Sequence, residues 1–159
     1  MKRLFIQSML LPVLLAISAC GSSKLSDEEK RAKEWQIARQ VESKNYTIEV
    51  SQANPMRGRF INLSYGYDLK ISNDSVYAHL PYFGVARTAP LGNGAIQFAA
   101  PMTLYTISPT KDGWSVRFRI EAREQKHDFT LDIFKNGKTS VTVSPLQRDP
   151  ISFWGEIKM

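Results

Sequence analysis

The sequence predicts a mainly β domain, an antiparallel up-and-down meander closed or curled into a small barrel or sandwich, with one N-terminal helix. Three observations predict it. From Asn45 onward, apolar residues recur at every second position in run after run. Short clusters of Asn, Asp, Gly and Pro separate these runs. No stretch of helical period lies between them, which sets aside a parallel α/β architecture.

The residues before Asn45 follow other rules. Lys2 and Arg3 precede an apolar run from Leu4 to Ile17, and the small residues Ser18 and Ala19 stand directly before Cys20. That is the layout of a signal peptide. A membrane-spanning helix needs about 20 apolar residues, whereas this run is shorter and is interrupted by Gln7, Ser8 and Pro12. The order Ile17, Ser18, Ala19, Cys20 resembles the lipobox of bacterial lipoproteins, in which the cysteine thiol is acylated before cleavage ahead of it. Residues 1–19 are therefore expected to be a lipoprotein signal peptide, and Cys20 the lipid attachment site. Cys20 is the only cysteine, so an exported domain gains no intramolecular disulfide and must rest on its core. One acyl chain binds a bilayer marginally and two or three hold stably. The first expected partner is thus a membrane, reached through acyl chains on Cys20.

Residues 20–25 form a lipidated tether that extends about 3.5 Å per residue and keeps the domain near the bilayer. Residues 26–44 read as an amphipathic helix. Ser26 and Glu29 have the spacing of a capping box, and Asp27, Glu28 and Glu29 suit the positive N-terminal end of the helix dipole. Ala32, Trp35, Ala38 and Val41 recur on one face with Ile37 beside them, so this stripe, Trp35 included, is expected to pack on the body of the domain. A helix lying on a lipid surface is the rival reading, but such helices usually carry more basic polar faces.

Residues 45–159 read as the β domain. Tyr46, Ile48 and Val50 alternate with polar residues, as do Tyr67, Leu69 and Ile71, then Val76, Ala78 and Leu80. A two-residue turn at Asn73-Asp74 sets Ile71 against Val76, Leu69 against Ala78 and Tyr67 against Leu80 on one face, with Asp68 opposite His79 on the other. At Lys135-Asn136-Gly137 a two-residue turn fails, because it mixes apolar and polar partners on both faces. A three-residue turn with Gly137 left-handed pairs Ile133 with Thr139, Leu131 with Val141 and Phe129 with Val143. Trp114, Val116, Phe118, Ile120 and Ala122 supply another alternating run, and Ile151, Phe153, Gly155 and Ile157 the last. Ile96, Phe98 and Met102 to Ile107 read as further extended pieces.

Composition narrows the chemistry. The net charge of +6 falls by two when Lys2 and Arg3 leave. Arg117, Arg119 and Arg123 are interleaved with Glu121 and Glu124 rather than gathered in a basic patch with aromatics, so no nucleic acid is expected as a partner. Two histidines far apart and one lipidated cysteine do not make a zinc site, and no metal or cofactor is expected. His79 and Asp68 lack a nucleophile elbow, and Asp68, Asp128, Asp132, Glu49 and Glu121 alternate outward as solvated strand faces. No catalytic residue is assigned. Aromatics are the one surplus. Tyr82, Phe83 and Trp154 fall at loop or outward positions where a ring can stack on a sugar or line a barrel mouth. The irregular stretch from Phe83 to Ala95, with Gly84, Pro90, Gly92 and Gly94, is long enough to suggest a functional edge. Tyr82, Phe83, Arg87 and Trp154 are the candidate binding residues.

The string Leu80-Pro81-Tyr82-Phe83-Gly84, followed by Ala86, Ala89 and Pro90, with Asp74-Ser75-Val76 upstream and Arg148, Ile151, Ser152, Phe153 and Gly155 downstream, resembles domain-of-unknown-function family 4251, small exported proteins and lipoproteins of Bacteroidetes. The resemblance implies an envelope habitat and transfers no catalytic residues. It implies two further expectations. Surface lipoproteins of that phylum carry acidic residues soon after the cysteine, whereas Gly21, Ser22, Ser23 and Lys24 come first here, which favours the periplasmic side of the outer membrane. Asp74-Ser75-Val76 also fits that phylum's O-glycosylation pattern, with Ser75 as acceptor; the alternative is that Asp74 and Ser75 are only turn residues.

The reading is a non-enzymatic envelope lipoprotein that binds a glycan, a small hydrophobic ligand or an envelope protein. A hydrolase acting on envelope glycan or lipid, and a structural accessory subunit of an outer-membrane complex, are the alternatives.

Overall fold

The structure, a computed structural model, describes residues 26–64, 66–83, 95–122 and 125–159. The expectations for the signal peptide, Cys20, the tether, Arg87 and most of the Phe83 to Ala95 stretch lie outside the described residues. Among the described residues, one helix, α1 (Asp27–Glu42), precedes nine strands: β1 (Asn45–Pro55), β2 (Ile61–Asn62), β3 (Asp68–Ser72), β4 (Ser75–Leu80), β5 (Ile96–Thr110), β6 (Gly113–Ala122), β7 (Gln125–Phe134), β8 (Lys138–Pro145) and β9 (Ile151–Ile157). Every strand pairs antiparallel with its neighbours in the order β2-β1-β3-β4-β5-β6-β7-β8-β9, and β1 also pairs with β9. That last pairing closes β1 and β3 to β9 into an eight-stranded barrel, with β2 laid along the second half of β1.

Both hairpin registers come from side-chain parity. β3 and β4 pair from Ser72 with Ser75 through Asp68 with His79, around a turn in which Asn73 takes φ 53°. β7 and β8 pair Ile133 with Thr139, Leu131 with Val141 and Phe129 with Val143, and Gly137 takes φ 88°, the left-handed conformation that the three-residue turn requires. One slip in either hairpin would turn its apolar set to solvent.

Eight strands enclose an interior just wide enough for side chains to fill. Ile48, Leu69, Leu80, Ile120, Phe129, Leu131, Ile133, Ile151 and Phe153 fill it, each fully buried. Across the middle runs a ladder of rings. Tyr105 stacks on Phe118 at 6.1 Å between centroids, Phe118 on Phe129 at 4.9 Å, and Phe129 meets the edge of Phe98 at 6.3 Å.

β5 is one strand of 15 residues, not the separate pieces that its pattern suggests. Alternation breaks because the register shifts between Thr103 and Thr106, where Leu104 takes φ 55° and stands exposed. β5 also changes partners along its length. Ile96 to Pro101 pairs with β4 and Met102 onward with β6. Pro101, which cannot donate to a ladder, sits where the handover occurs.

α1 closes one end of the barrel. Ser26 accepts from the Glu29 backbone while the Glu29 carboxylate accepts from the Ser26 N–H, the reciprocal cap that the spacing implies. Ile37 and Val41 are buried in the barrel core, and Ile37 lies against Gly137 in the β7–β8 turn. Lys33 pairs with Glu156 at 2.8 Å, and Glu34 with Lys135 at 3.1 Å. Trp35 corrects the sequence reading. It is 60% exposed, on the outer side of the helix, with the Arg39 guanidinium 4.8 Å from its ring. The stripe facing the barrel runs through the half-buried Lys33 and the buried Ile37 and Val41, one residue in four, so that a lysine stem with its charge paired outside takes the place expected for an indole.

Candidate binding site at the far end

The end opposite α1 gathers the finish of β1, the starts of β3, β5, β7 and β9, and the segments around Tyr82 and Arg148. Pro55 pairs with Ile151, which brings the residues after β1 beside those before β9. The Tyr82 hydroxyl donates to the Asp149 carbonyl at 2.9 Å, and the Arg148 guanidinium lies 5.1 Å from the Tyr82 ring centre. Burial raises the Tyr82 hydroxyl pKa above its ordinary value, and the nearby Asp149 carboxylate adds to the shift. Tyr82 is therefore a strut that ties two segments together. Phe83, next to it, is 45% exposed.

Behind this rim, β5 is paired with β4 but has not yet met β6, and on that unpaired side the wall opens into a small crevice. Ile96, Gln97, Phe98, Ala122, Gln125, His127 and Arg148 line it, and its volume is about 40 Å³. His127 is 7% exposed, and its Nδ1 is buried with no hydrogen-bond partner. Its ring lies 5.3 Å from that of Phe98. Burial pushes the imidazole pKa below its ordinary value, and the Arg148 cation lowers it further. The Gln125 backbone and the Asp128 carboxylate oppose that shift. The sequence held a signal for this residue: His127 shares the inward parity of Phe129, Leu131 and Ile133.

More of the rim went unread in the sequence. Between β1 and β2, Met56-Arg57-Gly58-Arg59-Phe60 projects with Met56 and Phe60 exposed, and Leu146 is exposed beyond β8. Two apolar side chains flanking Arg-Gly-Arg, outside any alternating run, were the available sign. Leu146 sits beside the start of β7, its N–H donating to the Lys126 carbonyl at 3.1 Å.

Trp154 does not join this group. It points outward from the middle of β9, 40% exposed and stacked on Phe134 at 6.4 Å, in an open groove of about 650 Å³ lined by Gln52, Leu63, Lys138 and Glu156 among others. The four candidate binding residues thus separate: Tyr82 and Phe83 stand at the far end, Trp154 on the outer wall, and Arg87 outside the described residues. Ser75 opens β4 at the helix end, half-buried, beside an exposed Asp74 that pairs with Lys44 at 3.2 Å. Asp68 and His79 lie side by side on the outer wall, with His79 exposed and tilted against Tyr67. Among the described residues, no three His, Cys, Asp or Glu side chains come together to hold a metal.

Comparison with known proteins bears on family and fold. The family model described as "Domain of unknown function (DUF4251)" matches residues 28–157. A crystal structure of a DUF4251 family protein from Bacteroides eggerthii superposes with a TM-score of 0.61 at 13% identity, over 79% of this chain and 87% of that one. At that identity the likeness speaks for the fold alone. No curated protein matches the chain significantly.

Proposed function

The chain belongs to the DUF4251 family, and from that premise we propose that it is a non-enzymatic envelope lipoprotein, a binding module held on the outer membrane by acyl chains on Cys20. One observation carries the reading: the barrel's two ends are built differently. The helix that follows the tether packs across one end, with ion pairs from Lys33 and Glu34 fastening it there. The opposite end presents Phe83, Met56, Phe60 and Leu146 with Arg57 and Arg59 among them. A short tether on the helix side aims that apolar and basic rim away from the bilayer, toward a ligand or partner on the periplasmic side. The barrel interior is occupied by its own side chains, so the far end and not a central cavity is where binding occurs.

The rim's exposed apolar side chains also favour a protein partner, as a subunit of an outer-membrane complex would need. Metabolic labelling with an alkyne fatty acid, followed by in-cell photocrosslinking, tests the proposal. Label lost in Cys20→Ala, and adducts from a photoreactive residue at position 83 or 60 but not at position 111, in the β5–β6 turn at the helix end of the barrel, support it. Label that persists in Cys20→Ala, or adducts as frequent from position 111, overturns it.

A further inference from the structure

A pyranose ring has two unlike surfaces, an apolar face of C–H groups and a periphery of hydroxyls that each donate and accept. A site for it needs an exposed aromatic ring bordered by polar groups with bonding capacity to spare. The groove at Trp154 on the outer wall has that composition. It runs from Leu63 and Ser64, just after β2, across β1 and β9 to Lys138 at the start of β8. Its volume of about 650 Å³ lies within the range of about 300–1,000 Å³ that small-molecule ligands occupy.

The backbone shapes the groove and holds the ring. The register of β1 against β9 shifts between Val50 and Gln52, so Ser51 is an extra residue that bends the strand. The Leu63 N–H donates to the Ser51 carbonyl at 2.8 Å, which keeps the far bank against this bulge. The Ser51 hydroxyl in turn donates to the Trp154 carbonyl at 3.4 Å. The indole lies nearly parallel to the Phe134 ring, at 12°, yet 40% of Trp154 stays exposed. A ring already held in place loses little freedom when a ligand stacks on it.

The polar groups beside the ring are only partly used. Glu49 and Glu156 face each other across β1 and β9. Lys158 takes Oε1 of Glu49 and Lys33 takes Oε1 of Glu156, both at 2.8 Å, and among the described residues the second oxygen of each has no protein donor. Lys138 is exposed opposite Glu156, and among the described residues its ammonium has no ion pair or hydrogen bond. Gln52 uses one amide N–H on Asn62 at 3.1 Å and keeps its carbonyl oxygen. This lining sorts ligands by class. Two carboxylates repel a polyphosphate or a nucleic-acid backbone, and a wholly apolar ligand would strip water from Glu49, Glu156 and Lys138 without replacing it.

We propose that the groove is a saccharide-binding site, in which the Trp154 indole stacks on the C–H face of a pyranose ring. The second oxygens of Glu49 and Glu156 accept from its hydroxyls, and the Lys138 ammonium donates to its oxygens. Because Lys158 and Lys33 balance the two carboxylates, Lys138 is the surplus charge, and a sugar that carries an acidic group complements it. The site lies on the wall, apart from the rim, and stands independently of the far-end reading.

The chain has three tryptophans, Trp35, Trp114 and Trp154, so indole-labelled protein gives three N–H signals, and Trp154→Phe identifies the one that matters. The purified full chain is titrated with cellotetraose, chitotetraose and tetragalacturonate, and with sorbitol as an open-chain polyol. Saturable movement of the Trp154 signal by at least one oligosaccharide, with none by sorbitol and none in the exposed Trp35, is the expected result. Tightest binding of tetragalacturonate identifies an acidic saccharide read by Lys138, and equal or tighter binding of the other two identifies a neutral one. Trp154→Ala should abolish binding measured by calorimetry, while its unchanged far-UV circular dichroism shows an intact fold. Lys138→Gln breaks no ion pair or hydrogen bond among the described residues and should weaken binding about tenfold. A Trp154 signal that ignores all three oligosaccharides, or that moves equally with sorbitol, overturns the site. So does a Lys138→Gln variant that binds as tightly as the parent, a result that stays readable if Trp154→Ala fails to fold.

Discussion

Replacing Phe129 tests whether the barrel is a packed core or a container. The side chain is 1% exposed, lies face to face with Phe118 at an interplanar angle of 8°, and meets the edge of Phe98 at 87°. Truncating a buried phenylalanine to alanine costs about 3–5 kcal/mol through lost transfer energy and the cavity left behind. Each aromatic pairing adds about 0.5–1.5 kcal/mol to the area that it buries. Phe129→Ala should therefore cost about 4–5 kcal/mol, a large share of the roughly 5–15 kcal/mol that holds an ordinary domain folded. For a chain of this length each kcal/mol lowers Tm by about 2–4 °C, so a fall on the order of 10–15 °C is expected. Phe129→Leu keeps most of the volume and should cost about 1.5 kcal/mol. Urea unfolding followed by tryptophan fluorescence measures both, and a double-mutant cycle with Phe118→Leu should return a coupling of about 1 kcal/mol. A loss below about 1.5 kcal/mol for Phe129→Ala would mean that the ring lines empty space. Binding would then not be confined to the far end, because the interior could hold a ligand.

Gly155→Ala should destabilise by about 2 kcal/mol or more, because its Cβ runs into the Glu49 carbonyl where β9 crosses β1; a thermal melt within 2 °C of the parent contradicts a tight seam. Ile37→Ala should cost about 2–4 kcal/mol by emptying the contact between α1 and the barrel end, and a melting point unchanged from the parent would show that the helix is not part of the core. Because the folded His127 pKa is lowered, the unfolded chain binds more protons at mildly acidic pH. Stability from this group is full above the unfolded value of about 6.5 and declines as pH falls from there through the lowered folded value. Melts from pH 8 to pH 5.5 should show that decline reduced in His127→Gln, and an identical decline in the variant removes the assignment. Glycosylation of Ser75 should appear as added mass on the protein from its native host that is lost in Ser75→Ala, and an unmodified native mass eliminates it.

The parts of the fold that could be read in the sequence are those that a two-residue period governs locally. At Asn73-Asp74 and at Lys135-Asn136-Gly137, counting side chains across the turn fixes the register, because any other pairing turns apolar residues to water. Closure was not legible. Whether the alternating runs make a barrel or a sandwich depends on β1 finding β9 about a hundred residues away, and only Gly155, small enough for Glu49 to approach, marks that meeting. The helix misled through composition. Trp35 is its most apolar bulk, yet the barrel end accepts the slimmer line through Ile37 and Val41 and leaves the indole to Arg39. β5 hid its continuity behind the bulge at Leu104. The far-end site is assembled from five separated stretches, so Tyr82 and Phe83 could be picked out as outward aromatics. Their neighbours His127, Arg148, Met56 and Phe60 belong to the site only through topology.

In the proposed orientation the helix and tether face the membrane while the rim at Met56, Phe60 and Phe83 faces away. Fluorophores placed singly at position 111 and at position 60 of the acylated protein, reconstituted in vesicles carrying a lipid-phase quencher, report it directly. Strong quenching at 111 with little at 60 is the predicted result. Quenching that is equal at the two positions, or stronger at 60, would contradict that orientation.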